Sequence, residues 1–371
     1  MRAHVRGAVA VVVAALAVVA ASCSSNNSTG GNTSGGNTSG GKSTGSLTIA
    51  FLMPCSTCAD RFEHQDKPLF VQAVHAIDAN IKVIANNAEG SSATQISQTE
   101  SALTNGADVI VVSPLDESTG SAIVDKATAA KVAVLSYDGL ITGAKADYYV
   151  SFDNEKVGEL QGSYLAGHLP QGATVAFING DQTIAPGRQF KAGAHKALDP
   201  LIQSHKLKLG YEGDAKQFDP ARGQALMEQA LTKLGDKVDG VLAANDGLAG
   251  GVVNALTARH LDGKVLVTGQ DASDAGLQRV LLGQQSMTVY KAIKQEAETA
   301  AKIAVAAAQG DATKAKSYTT TSVDNGAGQV PSVLLNPVVV DKSNIAATVL
   351  ADGFTTKDKL CTGDVKDKCP V

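Results

Sequence analysis

Short apolar runs alternate with amphipathic stretches along most of this chain. In the first half the runs cover residues 47–53, 81–84, 109–112 and 132–136. None of them alternates strictly with polar residues, so each predicts a strand buried on both faces. Between the runs, apolar side chains recur at helical spacing. Leu69, Phe70, Ala73, Val74 and Ile77 make one such face, with Pro68 tolerated in a first turn. Ile96, Thr99 and Leu103 mark a second, and a third helix reaches about Ala130. Repeated strand-then-helix order predicts a parallel sheet covered on both sides.

The centre of the chain carries a sharper signal. Tyr148-Tyr149-Val150-Ser151-Phe152 reads as a strand that runs straight into a helix bearing Val157, Leu160, Tyr164 and Leu165. Asp153 or Asn154 can cap that helix with a side-chain oxygen. Beyond it the alternation starts again. Strands are expected at 175–179, 206–210, 240–243, 265–269 and 287–289, with helices near 187–200, 220–234, 247–259, 272–282 and 291–308. After Gln309 the pattern loosens, leaving one more strand at 333–340 and a short helix at 345–350. The expected fold class is α/β, with two doubly wound parallel-sheet lobes joined near residue 153. In such sheets ligands bind beyond the carboxyl ends of the strands.

The N-terminal composition changes the picture of compartment. Arg2 and Arg6 precede an apolar run from Ala8 to Ala21, which has the length of a secretory core and is short for a membrane span. It ends at Ala20-Ala21-Ser22-Cys23, the pattern of a lipoprotein signal with Cys23 as the lipidated residue; an ordinary cleaved signal is the alternative. Residues 24–46 are Gly, Ser, Thr and Asn with almost nothing apolar, a composition that forms a tether rather than a core. The expectation is a protein anchored on the outer face of a membrane only through lipid. Formal net charge is −4, and removing Arg2 and Arg6 with the leader takes it to −6. An acidic body without a basic cluster argues against a nucleic-acid partner. Four further cysteines fall into two close pairs, Cys55 with Cys58 and Cys361 with Cys369. Outside the cytoplasm they predict two short disulfides, with a shared zinc site or a redox C-x-x-C as weaker readings.

The strand-end loops hold the candidate chemistry. The first contains Arg61, Phe62 and Glu63: a planar fork of donors, an apolar face and a pair of acceptors, suited to a neutral polyhydroxylated ligand. A surface ion pair beside a packing Phe would give the same residues. Asp138 follows the fourth strand and could take two hydroxyls, or simply turn the chain with Gly139. In the second half Asn245 and Asp271 each follow a strand and could contact ligand or cap a helix. Lys291 could order Asp271, touch ligand, or be a surface lysine at a helix start. The chain has no Trp, so Phe62 and Phe218 are the aromatic surfaces on which a sugar ring could rest. There is neither a G-x-G-x-x-G turn after the first strand nor a P-loop, and no cofactor or metal is expected.

These motifs carry a resemblance. Residues 150–161, Tyr137-Asp138, Asn245-Asp246, Gly269-Gln270-Asp271 and Met287-Thr288-Val289-Tyr290-Lys291 resemble the bacterial periplasmic D-xylose-binding proteins, type I sugar-binding components of ABC importers. The likeness covers most of 47–355. It implies the type I periplasmic binding protein fold, with one lobe from 47–153 plus about 291–325 and the other from 154–290 plus about 326–371. By position it implies that Arg61, Asp138, Asn245, Asp271 and Lys291 contact ligand and that Phe218 replaces a stacking tryptophan. It also implies a monomer that docks on an ABC permease. Two departures stand out: Gly139 where the family has an arginine, and Ile184-Ala185-Pro186 where it has Asp-Asn-Asn. A shifted ligand is therefore expected, a pentose such as xylose or a pentitol such as xylitol. The competing readings are a cell-surface sugar-processing enzyme, for which no loop supplies a convincing acid and base pair, and a sugar-sensing partner of a membrane receptor.

Overall fold

The computed structural model describes residues 46–56, 58–59 and 61–369. The expected leader, Cys23 and almost all of the tether lie outside the described residues. Within residues 45–371, one compact unit, the chain builds two α/β lobes.

The first lobe begins with β1 (Thr48–Met53), β2 (Lys82–Asn87), β3 (Val109–Val112), β4 (Ala133–Tyr137) and β5 (Tyr148–Phe152), all paired in parallel. Helices α1 (Lys67–Ile77), α2 (Ser92–Thr104) and α3 (Glu117–Ala129) cover its faces. The chain then crosses at Asp153, whose side chain accepts from Lys156 N and caps α4 (Asn154–His168). The second lobe follows with β6 (Ala173–Asn179), α5 (Ala185–Gln203), β7 (Leu207–Asp214), α6 (Pro220–Leu234), β8 (Gly240–Ala243), α7 (Asp246–Thr257), β9 (Leu266–Val267), α8 (Asp274–Leu282) and β10 (Met287–Tyr290). Its main sheet has the order β7-β6-β8-β9. Val289 N donates to Gly269 O, which continues that sheet towards β10.

A second crossing, at Lys291-Ala292, returns the chain to the first lobe as α9 (Ile293–Ala308). Its alanine face, Ala297, Ala300, Ala301 and Ala304, lies in the core with Phe51, Phe70, Val111 and Tyr137. The small side chains let the helix lie close on the sheet, while Phe51 meets Phe70 at 4.6 Å and the edge of Tyr137 at 5.1 Å. The other lobe has a separate core, including Ile178, Met227, Val241, Leu248 and Val252.

The third crossing differs from expectation. Residues 333–340 are not one strand. β11 (Thr321–Asp324) and β12 (Gln329–Leu335) complete the first sheet, in the order β11-β12-β5-β4-β3-β1-β2. The chain breaks at Asn336-Pro337, and β13 (Val338–Asp341) pairs with β10 in the second lobe. β12, which ends at Leu335, pairs in parallel with β5. Proline removes a ladder donor and disfavours continuation, so a single apolar run is divided between two sheets. Disulfides join Cys55 to Cys58 and Cys361 to Cys369, each with Cα atoms 5.8 Å apart, so none of the four thiols is free for zinc. Among the described residues no helix is long and apolar enough to cross a membrane.

Candidate functional site

The carboxyl ends of both sheets face one cleft, and the lobes are closed on it. Among the described residues, hydrogen bonds between the lobes close the mouth. Gln217 Nε2 donates to Gly90 O at 2.9 Å, Asn245 Nδ2 to Cys58 O at 3.3 Å, and Glu117 N to Thr183 O at 3.3 Å. Between the lobes is a cavity whose wall includes Arg61, Phe62, Asp138, Phe218, Asn245, Asp271 and Lys291. Seven of the eight side chains nominated from the sequence are thus brought together. Glu63 is not: it points into a surface pair with Lys67 Nζ, 2.5 Å away. The chain turns helical at this point, as a π-helical turn over Phe62–Asp66, so consecutive residues diverge instead of sharing one loop face.

Arg61 is 4% exposed and most of its donors are occupied by protein. Nε and Nη2 grip Asp66 at 2.8 and 2.6 Å, Nη2 also reaches Glu296 Oε2 at 2.6 Å, and Nη1 reaches Asp138 Oδ1 at 2.9 Å. Of the five guanidinium hydrogens, one on Nη1 is left over. Tyr137 donates its hydroxyl to Asp66 Oδ1 at 2.5 Å. Lys291 is no surface lysine, being 2% exposed, with Nζ 3.0 Å from Asp138 Oδ1 and 3.7 Å from Asp271 Oδ1. Both cations converge on the same oxygen of Asp138, so its Oδ2 is free of these bonds.

Two cations thus face four buried carboxylates, and the protonation states divide. Burial works against an ionised Asp138, but Arg61 and Lys291 outweigh it and hold the carboxyl below its ordinary range. For Asp271 burial prevails over Lys291 and Arg61, pushing its pKa up to about 6. Burial pushes Glu296 further, to about 8, against the attraction of Arg61. Burial also opposes the charge of Arg61, yet Asp138, Asp66 and Glu296 more than compensate. The site therefore combines a carboxyl held ionised at Asp138 with protonatable carboxyls at Asp271 and Glu296.

The backbone that delivers these groups is strained where it matters. Asp138, Gln217, Phe218, Asp271 and Ala272 all have positive φ without being glycine. Such conformations cost of order 1–3 kcal/mol each and persist when the surroundings over-determine them. At Asp138 the surroundings are Ser151 Oγ and Tyr149 OH, which donate to its carbonyl at 2.7 and 3.2 Å. Gln161 Nε2, on α4, donates to the carbonyls of Ala243 and Gly269 at 3.0 Å each, tying together the strand ends that carry Asn245 and Asp271. Asn245 has both of the roles considered for it: Oδ1 caps α7 by accepting from Leu248 N, while the residue lines the cavity. Asp271 is not a cap, because Ser273 takes that position for α8. Phe218 lies directly over Gly180, where an added Cβ would stand 2.0 Å from the ring, and meets Phe190 edge-on at 6.3 Å.

Several wall residues were not singled out from the sequence. Asp181 accepts from Thr183 and from Gln217 N, which shapes the two loops of the second lobe. Gln270 is 2% exposed and gives its amide hydrogen to Asp271, while its Oε1 is buried with no partner among the described residues. An orphaned acceptor on a cavity wall is a place for a ligand donor. Asp66 and Glu296 are not on the cavity wall and reach it through Arg61, which both of them hold. The two sequence departures, Gly139 and Ile184–Pro186, prove to share one side of the cleft, where Glu117 N meets Thr183 O.

Comparison with known proteins places this geometry. Residues 49–312 match the family model described as periplasmic binding protein domain. The chain is 40% identical over 296 residues to the D-xylose-binding periplasmic protein of Escherichia coli (strain K12), covering 80% of this chain and 88% of that one. The protein of the same name from Haemophilus influenzae is 39% identical, covering 80% and 87%. Among solved structures, the carbohydrate transporter solute binding protein of Chloroflexus aurantiacus, in complex with D-glucose, superposes with TM-score 0.76. It is 28% identical, with 85% of this chain and 98% of that chain covered. The ABC transporter solute binding protein of Clostridium phytofermentans, with bound β-D-glucose, gives 0.74 at 27% identity, covering 84% and 99%. A closed two-lobed cleft with matching sequence over most of its length leads to one conclusion: this chain belongs to the periplasmic binding proteins, a family of binding proteins rather than enzymes, and has their type I fold.

Proposed function

We propose that this protein is the extracytoplasmic ligand-capturing component of an ABC importer and that it binds a monosaccharide or sugar alcohol, a pentose such as xylose or a pentitol such as xylitol. The observation that carries this reading is the convergence of Asp138, Asn245, Asp271, Gln270 and Lys291 on one interlobe cavity. Asp138 Oδ2, the spare Arg61 hydrogen and the orphaned Gln270 Oε1 supply acceptors and a donor for hydroxyl groups. Charge-assisted bonds of this kind orient a neutral polar ligand strongly. Phe62 and Phe218 offer apolar faces for ring C–H groups.

Capture proceeds by closure. The lobes are linked by three strand crossings, and the mouth bonds form only when the lobes meet. A ligand shifts the equilibrium towards the closed state by its differential affinity for that state. The closed form then docks on the permease, with the body held near the membrane by lipid on Cys23 and the Gly/Ser/Thr-rich tether.

The test is a thermal-shift and calorimetric panel of pentoses, pentitols and hexoses on the purified protein, with the sugar recovered and analysed afterwards. Saturating binding, a raised midpoint and chemically unchanged ligand support the reading. No response to any sugar or polyol would sink it.

A further inference from the structure

The two sides of the cleft differ in chemistry. On one side Arg61, Asn245, Gln270 and Asp271 gather around the Asn245–Cys58 bond. On the other, Pro114, Leu115 and Gly139 from the first lobe stand with Ile184 and Pro186 from the second, where Glu117 N donates to Thr183 O. A Cβ built on Gly139 would stand 3.1 Å from Pro114 Cδ, so this side is closely packed. Two polar residues border it. Asp181 is already bonded to Thr183 and Gln217, and Ser113 Oγ, a hydroxyl on the cavity wall, lies 3.8 Å from the same Cβ position.

We propose that the Pro114–Leu115–Gly139–Ile184–Pro186 side receives a ligand carbon that bears no hydroxyl, so that the site selects a sugar ring with hydroxyls along one edge and a methylene or methyl group at the other. This deepens the monosaccharide reading and rests on it. A hydroxyl placed against the Pro114, Leu115, Ile184 and Pro186 side chains would lose its water without gaining a partner from them, which costs more than a bare carbon gains. A hydroxymethyl group at this edge is therefore disfavoured, whereas the C5 methylene of a pentopyranose or the C6 methyl of a 6-deoxyhexose is accepted. Within the pentose-or-pentitol choice, the ring form is preferred, because a pentitol carries a hydroxyl at both ends.

The test uses three series in which configuration is constant and only the C5 substituent changes. They are D-glucose, 6-deoxy-D-glucose and D-xylose; D-galactose, D-fucose and L-arabinose; and D-mannose, 6-deoxy-D-mannose and D-lyxose. Titration calorimetry should show, in whichever series binds, the deoxyhexose and the pentose at least about tenfold tighter than the hexose. Ile184→Asn separates polarity from size. It places a capping residue at the N-cap of α5 and so leaves the fold intact, and it should bring hexose and deoxyhexose to within about threefold of one another. A hexose or xylitol bound as tightly as the pentose would overturn the proposal while leaving sugar capture standing. Silence across all nine sugars and xylitol would overturn both.

Discussion

Lys291 reaches back across a lobe crossing to Asp138: its Nζ stands 3.0 Å from Asp138 Oδ1 in the other lobe and 3.7 Å from Asp271 Oδ1 in its own. One ammonium therefore orders an acid on each side of the cleft, from a position where the chain passes between lobes.

Replacing Lys291 tests that bridge. Lys291→Met keeps the length of the side chain and leaves two buried acids with one fewer cation. Breaking a buried pair from one side costs roughly 3 kcal/mol, so the urea midpoint at neutral pH should fall. Ligand affinity should fall by about a hundredfold or more, since Asp138 and Asp271 lose their orientation together. Unchanged affinity would show that Arg61 alone orders the site.

The pH profile of stability follows from the carboxyls around Arg61. In the unfolded chain Asp and Glu ionise near their ordinary values of about 4. In the native chain Asp271 holds its proton to about 6 and Glu296 to about 8. These raised values make the native state bind more protons than the unfolded state between about pH 4 and 8, so their contribution is lost as pH rises through that window. Asp138, whose native value is depressed, works the other way, stabilising above about pH 4 and losing effect as pH falls. Glu296→Gln imitates the protonated acid. Its stability relative to the natural protein should be constant below about pH 4 and grow towards pH 8 in urea titrations at stepped pH. A difference that does not vary with pH would contradict this assignment.

The mouth bonds should set release rather than capture. Gln217→Met preserves side-chain length and the backbone bond to Asp181 but removes the donor to Gly90 O. A neutral hydrogen bond contributes about 1 kcal/mol net, so dissociation should quicken about fivefold, with association little changed. Stopped-flow fluorescence or a competition assay reads both rates.

Cys23→Ser tests the anchor. The variant should leave the membrane fraction for the soluble extracytoplasmic fraction and fail to incorporate labelled fatty acid, with ligand affinity equal to that of the natural body. Retention in the membrane without label would place the anchor elsewhere.

The parts of this protein legible in the sequence are those that depend on neighbours in the chain. Apolar runs such as 109–112 mark strands because a sheet covered on both faces needs continuous apolar side chains, and Asp153 marks a helix start because a cap bonds only three residues on. Strand-end loops pointed to the cleft for the same reason, which is how Asp138, Asn245 and Asp271 could be nominated. The boundary at Asn336-Pro337 was written in the chain too, but the apolar residues on either side masked it. What only the tertiary structure decided are relations between distant residues. Arg61 finds Asp66, Asp138 and Glu296, the last 235 positions away, and no local pattern distinguishes such a glutamate from a helix-surface one. Whether a residue beside a strand end faces the cavity, as Phe62 does, or leaves it, as Glu63 does, depends on the helical turn the backbone takes there. The apolar side formed by Gly139 and Ile184 exists only because two separately folded lobes close together, and packing across a cleft has no period in the sequence.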